Sequence, residues 1–164
     1  MSVDTIERLF LEELKDLHSA ETQITKALPK MAKAASSTEL RAAFEHHLKE
    51  TEGHVQRLDK IFDSLGVSSG RKTCEGMKGV LEEGSQMLRE TEEGEVRDEA
   101  LISAAQRVEH YEMAAYGTVR AYAERLGKSQ IAQLLEKTLD EEKAADKKLT
   151  DISEKIQIPA TKAN

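Results

Sequence analysis

A chain of 164 residues has room for one domain with a substantial core and is short for two. Charged residues make up 34% and aromatics 4%, with no Trp and two prolines, a balance that favours long solvated helices over β-sandwiches and barrels. The net charge of −7, with bases interspersed among acids, argues against nonspecific binding to nucleic acid or anionic membrane. The lone Cys74 excludes an internal disulfide, and the lack of an apolar signal region or membrane-length apolar run makes the cytoplasm the expected compartment.

The first predicted helix covers about 3–35, where Ile6, Phe10, Leu14, Leu17, Ile24, Leu28 and Met31 recur every three or four positions and form one buried face. Pro29 lies inside this stripe and is expected to kink the helix or interrupt its hydrogen bonding. Ser36, Ser37 and Thr38 form a polar turn that supplies an N-cap, and Glu39 complements the dipole of the helix that follows. That second helix, about 38–66, carries the stripe Leu40, Phe44, His47, Glu50/Thr51, His54, Leu58, Ile61 and Leu65, and closes at Gly66. From Gly66 to Glu95, six glycines interrupt a weaker stripe of Met77, Val80, Leu81, Met87 and Leu88, which predicts a loop and a shorter connecting helix over about 74–93. A long helix over about 96–127 ends at Gly127. The last helix, about 129–157, runs through Ile131, Leu135, Thr138, Glu142, Ala145, Leu149, Ile152 and Ile156, and Pro159 marks a tail over 158–164. Two antiparallel hairpins separated by a crossover with a short extra helix make an all-α, ferritin-like four-helix bundle, expected as a single domain over 1–164.

Several polar residues fall where these stripes should be apolar. Glu21 lies between Leu17 and Ile24. In HLKETEGH, His47, Glu50 and His54 are spaced three and four apart and share a face with Phe44 and Leu58. Glu109 and Glu112 in VEHYE lie beside Val108 and Tyr116, and Glu142 is followed one turn later by Asp146. Folding each hairpin about its turn brings Glu21 level with 52–53, between Glu50 and His54, and brings Glu109 and Glu112 level with Glu142 and Asp146. The halves echo one another weakly. LHSAE at 17–21 corresponds to VEHYE at 108–112, and Glu50 with His54 to Glu142 with Asp146, at offsets that differ by one residue.

Carboxylates converging in an apolar bundle repel one another and lose hydration, so protons, basic partners or metal ions must compensate. Few Lys or Arg lie on the inward stripes, whereas two divalent cations would balance four to six carboxylates. Oxygen ligands with imidazole suit Fe or Mn, and the absence of a Cys cluster argues against structural zinc or iron–sulfur. Other residues read as structural: His18 and His46 as surface or helix-flank groups, His110 as facing away from Glu112, Tyr111 and Tyr116 as core or supporting groups, Cys74 as an unreactive thiol, and Glu82 and Glu83 as solvated.

The segments LHSAETQITKALPKMAKA, HLKETEGHVQRLD, RDEALISAAQRVEHYEMAAYGT and LLEKTLDEEKAADKKL resemble, in order and across nearly the whole chain, the YciF/YciE-type ferritin-like proteins of bacteria. That resemblance implies a dimeric assembly, an association with stress responses, and a dinuclear metal site related to that of rubrerythrins. By position it implies Glu21 as a ligand from the first helix, Glu50 and His54 from the second, Glu109 and Glu112 from the fourth, and Glu142 with Asp146 from the fifth. The usual di-iron motif is Glu-x-x-His. Here the spacing is Glu-x-x-x-His and Glu-x-x-x-Asp, which leaves open whether His54 or His47 ligates.

Two functions are expected. One is a dinuclear iron or manganese protein acting on peroxide, oxygen or ferrous iron during stress, a ferroxidase- or peroxidase/catalase-like oxidoreductase. The other is a non-catalytic bundle serving as a dimeric interaction scaffold. A ferritin-type storage or DNA-protecting cage is disfavoured by the lack of a basic tail.

Overall fold

A computed structural model describes residues 3–158, and the tail expected beyond Pro159 lies outside them. The described residues form five helices: α1 (Ile6–Ala34), α2 (Thr38–Leu65), α3 (Glu75–Glu90), α4 (Glu95–Arg125) and α5 (Ser129–Ser153). The Thr5 hydroxyl caps α1 by accepting from the Arg8 N–H at 3.2 Å, and Ser37 caps α2 by accepting from Leu40 at 3.3 Å. Gly66, at φ 66°, takes the left-handed conformation that ends α2. Helix α1 continues through Pro29 to Ala34, so the missing N–H does not end it. Helix α5 stops at Ser153, short of the expected 157, because Lys155 and Ile156 bond three residues back and tighten the last turn.

Helices α1 and α2 pack as one hairpin and α4 and α5 as the other. Helix α1 faces α4 and α2 faces α5 across the bundle, and α3 lies along α1 and α4. This is the ferritin-like bundle with its crossover helix. Helix α3 approaches α4 closely. A methyl group at Gly76 would lie 2.7 Å from the Tyr111 hydroxyl, so only glycine lets the Tyr111 ring sit against α3.

The apolar core divides in two. One part gathers Ile24, Leu28, Phe44, Met77, Leu101, Ile102 and Leu149. The other gathers Phe10, Leu14, Leu17, Leu58, Ile61, Tyr116 and Leu135. The order along each helix explains the division, since on α1 the polar Glu21 stands between Leu17 of one part and Ile24 of the other.

The α1–α2 turn is tied to α4 by Asp98, a buried carboxylate without an obvious sign in the sequence. It accepts from the backbone N–H groups of Ser36 and Ser37, both at 2.8 Å, while the Ser36 hydroxyl accepts from Gly94 N–H at 3.0 Å. Replacing Asp98 by Ala orphans two donors that the carboxylate satisfies. Urea denaturation of D98A should show a loss of about 2–3 kcal/mol, with D98N losing less.

Candidate metal centre

Between the two apolar parts lies a polar layer to which α1, α2, α4 and α5 each contribute. Glu21, His54, Glu112 and Glu142 are fully enclosed, and His47 and Glu109 are 6% and 2% exposed. Two groups of ligand-type atoms form there, each with its members within 4.8 Å of one another: Glu21, His54 and Glu142 in one, and His47, Glu109, Glu112 and Glu142 in the other. Glu142 belongs to both.

The two imidazoles enter from positions two turns apart on α2, their centroids 6.3 Å apart. His54 Nδ1 lies 2.9 Å from Glu142 Oε1 and 3.3 Å from Glu21 Oε1. His47 Nε2 lies 3.1 Å from Glu109 Oε1 and 3.6 Å from Glu142 Oε2. These are contact distances, but the angles make no hydrogen bond. The inward nitrogens of both histidines are without a hydrogen-bond partner, as are Glu21 Oε2, Glu109 Oε2 and both carboxylate oxygens of Glu112 and of Glu142. So many buried polar atoms left without a hydrogen-bond partner and lying within reach of one another are what a set of metal ligands presents.

The outward nitrogens are engaged. His54 Nε2 is 2.9 Å from Glu141, whose carboxylate is gripped by the Arg57 guanidinium, which also bonds Thr138. His47 Nδ1 is 3.3 Å from Glu50, whose other oxygen is 3.3 Å from the exposed His46. A carboxylate on the far nitrogen fixes ring orientation and turns the near nitrogen toward the centre. Glu21 Oε1 accepts from the Tyr116 hydroxyl at 2.5 Å, and Thr51 donates to the His47 carbonyl at 2.8 Å.

Six of the eight residues expected from the sequence are therefore brought together: Glu21, His47, His54, Glu109, Glu112 and Glu142. Glu50 and Asp146 are not. The Glu50 side chain is 27% exposed and serves the outer side of His47. Asp146 turns to His110, 3.3 Å away. The expectation that Glu50 joins Glu142 at the centre fails on α2 geometry, since Glu50 stands at the edge of the face that His47 and His54 share. Both histidines point inward, one in each group of ligand-type atoms. The apolar stripes do not single out Glu141 or Arg57, although Arg57 lies one helical turn after His54 and Glu141 is next to Glu142.

Electrostatics follow from this enclosure. Burial works against charge on His47, but Glu109, Glu50 and Glu142 outweigh it and raise the pKa well above 6.5. For His54, burial is again opposed, here by Glu142 and Glu21, and the pKa rises to about 10. Burial, then the charges of Glu142, Glu21 and Glu109, push Glu112 well above 4.5. Burial lifts Glu142 to about 7 against the pull of His54, with Glu109 adding to the rise. Tyr116 is kept neutral by burial and by Glu21 and Glu112, so it remains a donor. Burial opposes ionisation of Glu141, but Arg57 and then His54 prevail and hold its pKa low. Without an ion, the layer must hold protons to stay near neutral.

Four long helices in two antiparallel hairpins with a crossover helix, with four carboxylates and two imidazoles converging between them, place the chain in the class of ferritin-like four-helix bundles. The chain belongs to the family described as a domain of unknown function, DUF892, which it matches over residues 5–160. It is 48% identical over 154 residues to Protein YciF of Escherichia coli (strain K12), covering 93% of each chain. The crystal structure of that E. coli stress protein superposes with a TM-score of 0.89, covering 92% of this chain and 96% of the other. YcfI from Rhodopseudomonas palustris superposes with a TM-score of 0.88 at 42% identity, covering 91% of this chain and 95% of the other.

Glu112 provides a direct check on the charge balance. Its raised pKa means that its contribution to stability is fully present below the unfolded value near 4.5 and is lost as pH rises toward the folded value. Gln mimics the protonated form at every pH. In chelator-treated protein E112Q should be more stable than the native chain, by a margin that widens above pH 4.5 at about 1.4 kcal/mol per pH unit until Glu112 ionises. Urea denaturation over a pH series measures it.

Proposed function

We propose that this chain is a dinuclear metal carboxylate protein, holding two Fe or Mn ions and acting on peroxide, oxygen or ferrous iron in a bacterial stress response. The observation that supports it most is the sharing of Glu142 by two adjacent groups of orphaned, buried ligand atoms. A carboxylate has two oxygens and can bridge a pair of cations. Glu21 and His54 would hold one ion together with Glu142, and His47, Glu109 and Glu112 would hold the other with it. Four carboxylates balance two divalent cations in full, with both imidazoles neutral. The donor set is oxygen with imidazole and contains no thiolate, since Cys74 caps α3 and contacts Tyr111.

When bound, the metal pair supplies one- or two-electron exchange with a small oxidant or with ferrous iron. The chain's own residues prepare the place for it. Glu141, held by Arg57, keeps the His54 Nε2 proton on the outer side. Glu50 does the same for His47 Nδ1. Tyr116 keeps its own proton and donates a hydrogen bond to Glu21 Oε1, and the apolar parts above and below exclude bulk water. A cytoplasmic homodimer is the setting proposed. The family resemblance supports the dimer and stress role. No helix among the described residues is long and apolar enough to cross a membrane, and the net charge of −7 disfavours nucleic-acid partners.

A second reading has its own support. The raised pKa values of His47, His54, Glu112 and Glu142 let protons balance the layer, as a non-catalytic dimeric scaffold would need. Metal analysis separates the two. Reconstituted protein should hold two Fe or Mn per chain, and chelation should lower the melting temperature, because an ion that binds only the folded state stabilises it. No bound metal and an unchanged melting temperature would favour the scaffold.

Ligation displaces protons from both histidines, Glu112 and Glu142, so apparent affinity should rise with pH. Calorimetry in buffers of different ionisation enthalpy should show net proton release at neutral pH. E141Q, which loosens His54 without removing a ligand, should weaken metal binding by roughly 10- to 100-fold.

A further inference from the structure

Helix α3 rests on α1 and α4 and leaves a groove of about 370 Å³ between them. Hydrogen bonds tie the chain down at both ends of α3. At its start, Gln23 of α1 donates to the Cys74 carbonyl at 3.1 Å, and the Cys74 N–H donates to the Ser19 hydroxyl at 2.9 Å. Just past its end, Gly94 N–H donates to the Ser36 hydroxyl at 3.0 Å. The floor is apolar: Leu101 and Val108 of α4 are 1% and 6% exposed, and Leu81 and Leu88 of α3 face the half-buried Met31 of α1 across it. The volume suits one small molecule, whereas a partner helix about 10 Å across could not lie between α1 and the tied α3.

The mouth carries charge opposite to that of the chain as a whole. Lys26 and Lys30, one turn apart on α1, are exposed on its rim, and neither has an ion-pair or hydrogen-bond partner among the described residues. Like charges four residues apart on a helix repel, so an anion placed between them relieves a cost that the chain itself leaves standing. On the opposite wall Lys78 is 3.3 Å from Glu75, and the rim acid Glu82 is 3.6 Å from Arg89. Two positive charges therefore stand uncompensated above an apolar floor, in a chain whose net charge is −7. A single negative headgroup on a single apolar chain matches both features. An anionic bilayer matches them less well, since the rest of the surface would be repelled from it.

We propose that the groove between α1 and α3 binds a medium-chain alkyl carboxylate, its headgroup between Lys26 and Lys30 and its chain along Leu81, Leu101 and Val108. None of the groove's residues belongs to the metal-ligand set, so the proposal stands independently of the function proposed above.

Calorimetric titration of the full-length protein with decanoate, below the concentration at which it aggregates, tests this. One saturable site per chain is expected. 1-Decanol, with the same chain and no charge, should bind about 3- to 10-fold more weakly, and hexanoate, four methylenes shorter, at least roughly tenfold more weakly. Replacing both rim lysines (Lys26→Gln with Lys30→Gln) should bring decanoate down to the affinity of decanol and leave decanol binding unchanged. Ala27→Phe, which fills the groove from α1, should weaken both ligands at least roughly tenfold. If Ala27→Phe fails to fold, the exposed lysine pair and the three ligands on the native chain decide. Absence of saturable binding, equal affinity for decanoate and decanol in the native chain, or a carboxylate preference that survives the lysine replacements overturns the proposal. Co-sedimentation with phosphatidylglycerol vesicles that needs Lys26 and Lys30, without decanoate binding, would assign the surface to a membrane and overturn it. A lower molecular mass of the lysine variant with unchanged decanoate affinity would assign it to a second copy of the chain and overturn it as well.

Discussion

The structure is organised around one electrostatic constraint: four carboxylates and two imidazoles share a single buried layer and must be neutralised where water cannot reach them. Protons meet the constraint in part, which is why Glu112 and Glu142 are raised and both histidines hold their charge. Two divalent cations, as proposed, would balance the four carboxylates completely. The layer divides the core into an upper and a lower apolar part, and those parts keep the layer dry. Burial therefore makes the site strong and makes it costly when it is left uncompensated.

Around this layer stands a ring of side chains that fix the ligands and do not themselves join them. Arg57 and Glu141 hold the outer edge of His54, Glu50 holds that of His47, and Tyr116 holds Glu21. The Glu50 contact lies within α2, whereas Glu141 reaches His54 from α5 and Tyr116 reaches Glu21 from α4, so the positions of Glu21 and His54 depend on the docking of both helix pairs. Asp98 contributes at a distance by pinning the α1–α2 turn to α4. Such an arrangement fixes the inward atoms in place and would lower the reorganisation that binding of the proposed ions requires.

The helices and their connectivity are legible in the sequence because stripes such as Phe10, Leu14, Leu17 and Ile24 leave few other packings. The inward acids are legible for the same reason, since Glu21 or Glu142 on an apolar stripe stands out. Periodicity resolves which face a residue occupies but not the last tens of degrees about the helix axis. That margin separates Glu50 from His47 and Asp146 from Glu142. Cross-helix partnerships are less visible still. Glu141 is one of many surface-pattern acids until Arg57 and His54 meet it from another helix, and the two carboxylate bonds of Asp98 span more than sixty positions of chain.

The central claim is that Glu142 is a carboxylate shared by two cations. Anomalous diffraction from crystals of the reconstituted protein, recorded at the iron and manganese edges, tests it directly. Two peaks are predicted, both at ligand distance from Glu142, about 2.0–2.6 Å, one flanked by Glu21 and His54 and the other by His47, Glu109 and Glu112. A single peak away from Glu142, or none in protein that elemental analysis shows to be fully exposed to metal, would contradict it.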